Sequence, residues 1–144
     1  MLNSQYRPAS RCRTEHMILT KIRERAAADQ QHIILPEGSD PRTLAAAEIC
    51  VRERIARITV IGKDDEVHSL ADKNGVNLNG VEVLDHRKSH HDHARMAELY
   101  HQLRRAKGTT LEEAEQAVKD PLYYGNLLVR LGKADGSVAG ATNT

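Results

Sequence analysis

Asp40, Arg42 and Thr43 sit within four residues of one another, in the run Leu35-Pro36-Glu37-Gly38-Ser39-Asp40-Pro41-Arg42-Thr43-Leu44. A guanidinium, a hydroxyl and the unpaired N–H groups of a starting helix are donors that suit an anion. The plainer reading makes Asp40 a helix N-cap and Arg42 a surface charge. A second stretch, Gly140-Ala141-Thr142-Asn143-Thr144, has small residues that let backbone approach an anion while hydroxyls and amide N–H groups donate to it. By itself such a stretch is also an ordinary turn. A third constellation gathers Asp85, His86, His90, His91, Asp92 and His93, which are legitimate metal ligands at high density. It lacks a Cys and any recognised ligand spacing, so a solvated polar loop is the expectation and no metal site is assigned.

The elements that must position these residues follow from periodicity and punctuation. Ile33 to Leu35 form an apolar run suited to a strand buried on both faces, and Pro36 ends it. Asp40 then caps a helix with Pro41 in its first turn, predicted over 42–54 with Leu44, Ala47, Cys50 or Val51, and Ile55 on one face. A second strand is predicted from Ile58 to Gly62, a helix over 64–71, a turn at Asn74-Gly75 and a third strand from Val81 to Leu84. A long helix is expected over 91–106, stopped by Gly108. Thr110 and Glu113 form a capping box that opens a helix to about Lys119, and Asp120-Pro121 starts another. Gly136 to Gly140 reads as a fourth short strand. Ahead of all these, Ile18, Ile22 and Arg25-Ala26 fit a short amphipathic helix ending near Asp29. Strands and helices alternating in this way indicate an α/β fold with a mostly parallel sheet.

Bulk properties narrow the function. The 144 residues suffice for one domain with a core. A net charge of +1 with both signs interspersed argues against a dedicated nucleic-acid binder, and four Tyr without Trp or Phe make a poor base-stacking platform. Cys12 and Cys50 form no disulfide framework, which points to a reducing cytoplasm; Cys50 reads as a small buried hydrophobe. No apolar run approaches the roughly 20 residues of a membrane span. Residues 1–16 carry Arg7, Arg11 and Arg13 before the first acid and lack hydrophobic periodicity. They are expected to be a disordered leader, or to reflect an early start with Met17 as the true beginning; a transit peptide is the competing reading. The chain stops directly after its fourth expected strand, before a covering helix, and so reads as cut within a βα unit.

Three ordered motifs carry a family resemblance: Leu35 to Leu44; Tyr100-His101-Gln102-Leu103-Arg104-Arg105-Ala106-Lys107-Gly108-Thr109-Thr110-Leu111-Glu112-Glu113-Ala114; and Leu131-Gly132-Lys133-Ala134-Asp135-Gly136 through Thr144. Together they resemble the amino-terminal part of the phosphate acetyl/butyryltransferase family over about residues 17–144. The resemblance implies a three-layer α/β/α architecture like that of isocitrate and isopropylmalate dehydrogenases. It implies interconversion of acetyl-CoA plus phosphate with acetyl phosphate plus CoA, with CoA a substrate rather than a cofactor, usually in homodimers and without a metal in the chemistry.

Carried over position by position, the resemblance makes Arg104 a CoA-phosphate-binding arginine, a task suited to its planar fork; without it Arg104 is a solvated helix residue beside Arg105 and Lys107. Gly140, Ala141, Thr142, Asn143 and Thr144 fall on the loop that opens the family's acyl-phosphate pocket. Asp40, Arg42 and Thr43 fall on a turn facing the same cleft. Ala106 stands where a basic residue is common and Asn143 where His is more frequent. The family's catalytic Ser, Arg and Asp lie beyond Thr144, so no catalytic residue is assigned. The isolated chain is then expected to be a catalytically incomplete phosphate acetyltransferase. The alternatives are a non-catalytic CoA- or anion-binding or regulatory module and, behind it, a phosphate butyryltransferase.

Overall fold

The computed structural model describes residues 11–88 and 90–142. Four strands form one sheet: β1 (Gln31–Leu35), β2 (Ala56–Ile61), β3 (Glu82–Leu84) and β4 (Gly136–Ser137). They lie in the order β3-β2-β1-β4, and every pair is parallel. Among the described residues the chain forms six α-helices: α1 (Arg11–Ala28), α2 (Pro41–Arg52), α3 (Asp64–Asn74), α4 (His90–Arg104), α5 (Leu111–Ala117) and α6 (Pro121–Arg130). The expected α/β fold is what forms, with the sheet parallel throughout.

Side-chain alternation divides the core between two faces. Leu35, Ile58 and Val60 point one way, into a cluster with Leu44 and Ala47 of α2 and Val67 and Ala71 of α3. Ile34 and Ile61 point the other way, against Met96 and Ala97 of α4, Ala114 of α5 and Tyr124 and Leu127 of α6. Paired positions agree with this division, Ile34 lying opposite Thr59 and Leu35 opposite Val60. Polar bonds tie the strands at the other end: the His32 ring bridges Thr59 Oγ1 (2.7 Å) and the Lys133 carbonyl (3.1 Å), and Thr59 donates to Glu82 (2.8 Å).

The order of the strands matters for function. From β1 the chain steps outward to β2 and β3, then returns through α4, α5 and α6 to place β4 on the far side of β1. The direction of winding therefore reverses between β1 and β4. In open α/β sheets, ligands bind in the crevice at the carboxyl ends of the strands where this reversal occurs.

Local signals set the helix ends as expected. The Asp40 carboxylate accepts from the Arg42 N–H with Pro41 in the first turn, Thr110 and Glu113 form a complete capping box, and Asp120 caps α6. Gly75 closes α3 in the left-handed region, so that the helix runs three residues beyond its expected end. Three expectations change. Helix α1 begins at Arg11, inside the segment expected to be a disordered leader, because no Gly or Pro interrupts the chain from Arg11 to Ala28. Its Ile18 and Ile22 are exposed instead of forming a packed face, and α1 meets α2 through the Arg23–Glu53 ion pair (3.6 Å). Strand β4 covers two residues, because the chain bends away after Val138, whose N–H still donates to the Ile34 carbonyl (3.0 Å).

Candidate active-site crevice

At the end of β1, Pro36 releases the chain from the ladder and Glu37 begins a turn. The Gly38 N–H donates to the Ile61 carbonyl (3.1 Å), docking the turn on β2, and the Asp40 N–H returns to the Glu37 carbonyl (3.1 Å). A Cβ on Gly38 would lie 2.6 Å from both Ile61 O and Val60 Cγ1, so only glycine permits this approach. The turn delivers Asp40 as the α2 cap, Arg42 one residue into the helix and Thr43 buried behind them.

Asp40 and Arg42 form a fork: Arg42 Nε donates to Asp40 Oδ1 (3.0 Å) and Nη2 to Oδ2 (2.6 Å). The Asp40 side chain is 7% exposed and that of Arg42 72%. The guanidinium hydrogen bond holds the Asp40 carboxyl below the usual carboxylate range, with the Arg42 backbone N–H adding to it. The same bond pushes Arg42 upward, helped by the charge of Asp40 and, more weakly, of Glu37. Arg42 Nη2 also donates to the Ala141 carbonyl (2.5 Å), across 99 residues of sequence.

The Gly140–Thr142 stretch lies against this turn. Gly140 has φ +119°, a conformation natural only to glycine. The N–H groups of Gly140 and Ala141 donate to Glu37 Oε2 (2.8 and 2.7 Å). The Thr142 N–H and its hydroxyl donate to Glu37 Oε1 (2.9 and 2.8 Å). Glu37 is 6% exposed. The sequence passed over this residue: its partners lie 103 to 105 positions away, and only its place between a strand-ending Pro and a turn Gly hinted at a fixed role.

The structure thus brings Asp40, Arg42, Thr43, Gly140 and Thr142 together at the β1–β4 reversal, beside a shallow cavity of about 290 Å³ lined by Glu37, Arg42, Thr43, Ala46 and Val138. Arg104 is elsewhere, exposed at the carboxyl end of α4 in the α4–α5 hairpin; among the described residues no hydrogen bond or ion pair joins it to the crevice. Asn143 and Thr144 lie outside the described residues.

The histidine-rich segment departs from a solvated loop. His86 is buried, its Nε2 on the Lys119 carbonyl (2.8 Å) and its ring 5.5 Å from that of Tyr124. His93 packs on the same tyrosine and bonds the His86 carbonyl. The arrival of α6 turns what reads as polar loop into core. Among the described residues no three His, Cys, Asp or Glu side chains are grouped to hold a metal ion, and His90, His91 and Asp92 have no described side chains. Cys50 is half-buried, and desolvation pushes its thiol up, as suits a packing residue.

A family model described as phosphate acetyl/butaryl transferase matches residues 17–144, nearly the whole chain. The chain belongs to this family. A phosphate acetyltransferase of Acetivibrio thermocellus is 42% identical over 126 residues, covering 88% of this chain and 37% of that protein. One from Thermoanaerobacterium thermosaccharolyticum is 40% identical, covering 86% of this chain and again 37% of the relative. Among solved structures, a phosphotransacetylase from Streptococcus pyogenes superposes with a TM-score of 0.80 at 29% identity, covering 90% of this chain and 39% of that one. The EutD phosphotransacetylase from Staphylococcus aureus gives 0.77 at 30% identity. The chain therefore spans less than two-fifths of the length of these members of the phosphate acetyl/butaryl transferase family. Among the described residues no helix is long and apolar enough to cross a membrane.

Proposed function

We propose that this chain supplies one wall of a phosphate acetyltransferase site in the cytoplasm, taking CoA or acetyl-CoA, acetyl phosphate and phosphate as substrates, the homodimer being a property of the full-length family. The observation that carries this reading is the convergence of the 37–43 turn and the 140–142 loop at the β1–β4 reversal, in a chain of this family.

In the proposed reaction the CoA thiol loses its proton and the thiolate attacks the acetyl carbonyl of acetyl phosphate. A C–S bond forms, the bond from the acetyl carbon to the bridging oxygen breaks, and phosphate leaves with that oxygen and the electron pair, the thiol proton passing to the released phosphate or to solvent. Cationic and hydroxyl donors favour such a step by stabilising charge on the leaving phosphate. Arg104 is assigned to a CoA phosphate. Asp40, Arg42, Thr43, Asn143 and Thr144 are assigned to the pocket for acetyl phosphate, and Gly140 and Thr142 to the loop that shapes its wall. Asp40 acts by aiming Arg42, since a carboxylate itself repels the substrate.

Isothermal calorimetry with CoA tests the reading. The chain is expected to bind CoA, and Arg104→Ala to weaken binding on the order of tenfold, the worth of one charge-assisted phosphate contact. Absence of CoA binding, or equal affinity in the variant, would overturn it. A second reading is a CoA- or anion-binding module without chemistry, which draws on the Arg42 guanidinium beside the 140–142 loop. Its signature is CoA binding with thiol-dependent turnover of acetyl phosphate still absent when the remainder of the family fold is supplied as a second chain.

A further inference from the structure

Gly140, Ala141 and Thr142 present three successive backbone N–H groups and one hydroxyl to a single point. Arrays of this kind form concavities that bind phosphate and other anions. Here the point is already occupied by the Glu37 carboxylate. We propose that Glu37 is a positioning residue that serves as the resident anion of this loop, so that substrate phosphate does not bind to the amides of residues 140–142. The inference about substrate rests on the proposed function; the inference about the loop does not.

Four features support it. Both carboxylate oxygens are used, each taking two donors at 2.7–2.9 Å. A protonated carboxyl would turn an O–H toward one of those donors, so the arrangement selects the ionised form. Burial makes displacement costly: an incoming phosphate would strand a desolvated carboxylate without its donors and set a second anion beside it. The backbone that carries Glu37 is also fixed in place. Its carbonyl accepts from Asp40 N–H, and the next residue is fixed to Ile61 at a distance that leaves no room for a Cβ.

Two consequences follow for the loop. The Thr142 hydroxyl gives its hydrogen to Glu37 and can offer only lone pairs to anything else. Gly140 and Ala141 hold the loop in place instead of holding ligand. Arg42, reaching the Ala141 carbonyl, fastens the same loop from the side. Glu37 is thus a template that stands where a ligand phosphate would in an open nest, and it fixes the direction in which the chain leaves the sheet.

Amide-resolved NMR on the 144-residue chain tests the proposal. In the wild type, inorganic phosphate is expected to leave the amide shifts of Gly140, Ala141 and Thr142 unchanged, and those amides should exchange slowly with solvent. In Glu37→Ala their protection should fall together, on the order of tenfold or more, while that of β1 and β2 stays. Added acetate should restore it saturably by refilling the vacated site. In Glu37→Gln protection should also fall, because an NH2 group now faces the donors, but acetate should not rescue a site still filled by a side chain. Phosphate shifting the three amides in the wild type would overturn the proposal, making Glu37 a placeholder that ligand displaces. So would unchanged protection in Glu37→Ala. The wild-type titration decides the matter if Glu37→Ala fails to fold. Loss of the CoA-binding reading with these results intact would refute the proposed function and leave the role of Glu37 standing.

Discussion

The β1–α2 turn and the β2–α3 turn are built alike and do different things. Each leaves a buried strand, passes a glycine and enters a helix. Each glycine N–H docks on the neighbouring strand, Gly38 on Ile61 and Gly62 on Leu84 (both 3.1 Å). Beyond that the two diverge. The first turn is wired over 99 to 105 residues to the 140–142 loop through Glu37 and Arg42. The second makes a local pair between Lys63 and Glu66, both well exposed, and Lys63 at its N-cap offers no side-chain cap. The helix is supported instead by Asp64, Asp65 and Glu66 in its first turn, where acids favour the helix dipole. The difference teaches that the strand–turn–helix unit does not make a site by itself. Among the described residues, a strand arriving from far along the chain lies beside the β1 turn, and it is there that the turn's side chains make hydrogen bonds to distant partners.

The largest expected contrast is between the two glycines. Gly38→Ala drives a Cβ into the Ile61 carbonyl, which the sheet holds in place, and should cost about 3 kcal/mol in denaturant unfolding. Gly62→Ala meets a side-chain atom, Val67 Cγ2 at 2.7 Å, and should cost about 1–2 kcal/mol. Equal losses would break the comparison at its structural root.

Acid should separate the turns next. The folded-state Asp40 carboxyl titrates below its unfolded value, so its contribution is present above about pH 4 and disappears as pH falls through the folded pKa. Wild type is therefore expected to exceed Asp40→Asn in denaturation midpoint at about pH 6, the gap closing in more acidic buffer. A gap that widens on acidification would contradict the Arg42 fork. The smallest effect belongs to the second turn: Lys63→Ala removes an exposed ion pair and should shift unfolding by less than about 0.5 kcal/mol. A larger loss would mean that this turn, too, is wired into something beyond itself.

What was legible in the sequence was what neighbours in sequence decide. Asp40-Pro41, Thr110 with Glu113, and Asp120-Pro121 declared their helices because caps act within four residues. The apolar runs at Ile33 and Ile58 declared buried strands, though each begins two residues earlier than the run itself, where pairing extends onto Gln31 and Ala56. Partners brought by the fold were hidden. His86 looked like loop until Tyr124 covered it, and Glu37 looked like turn filler until the 140–142 loop closed on it. The stretch from Gly136 to Gly140 reads as strand because composition shows Gly and Val but not the pull of a carboxylate on the amides that follow.

The span between Glu37 and its donors also has a consequence in time. Contacts separated by 103 to 105 residues close a very long loop, and the entropy of that closure must be met before the contacts repay it. Strands β1 and β2, about 25 residues apart in register, can pair while the 140–142 segment is still unplaced. Until the 140–142 segment arrives, Glu37 has none of the donors that hold its carboxylate. The crevice is thus closed by the pairing of the sheet that is most distant in sequence, β4 on β1.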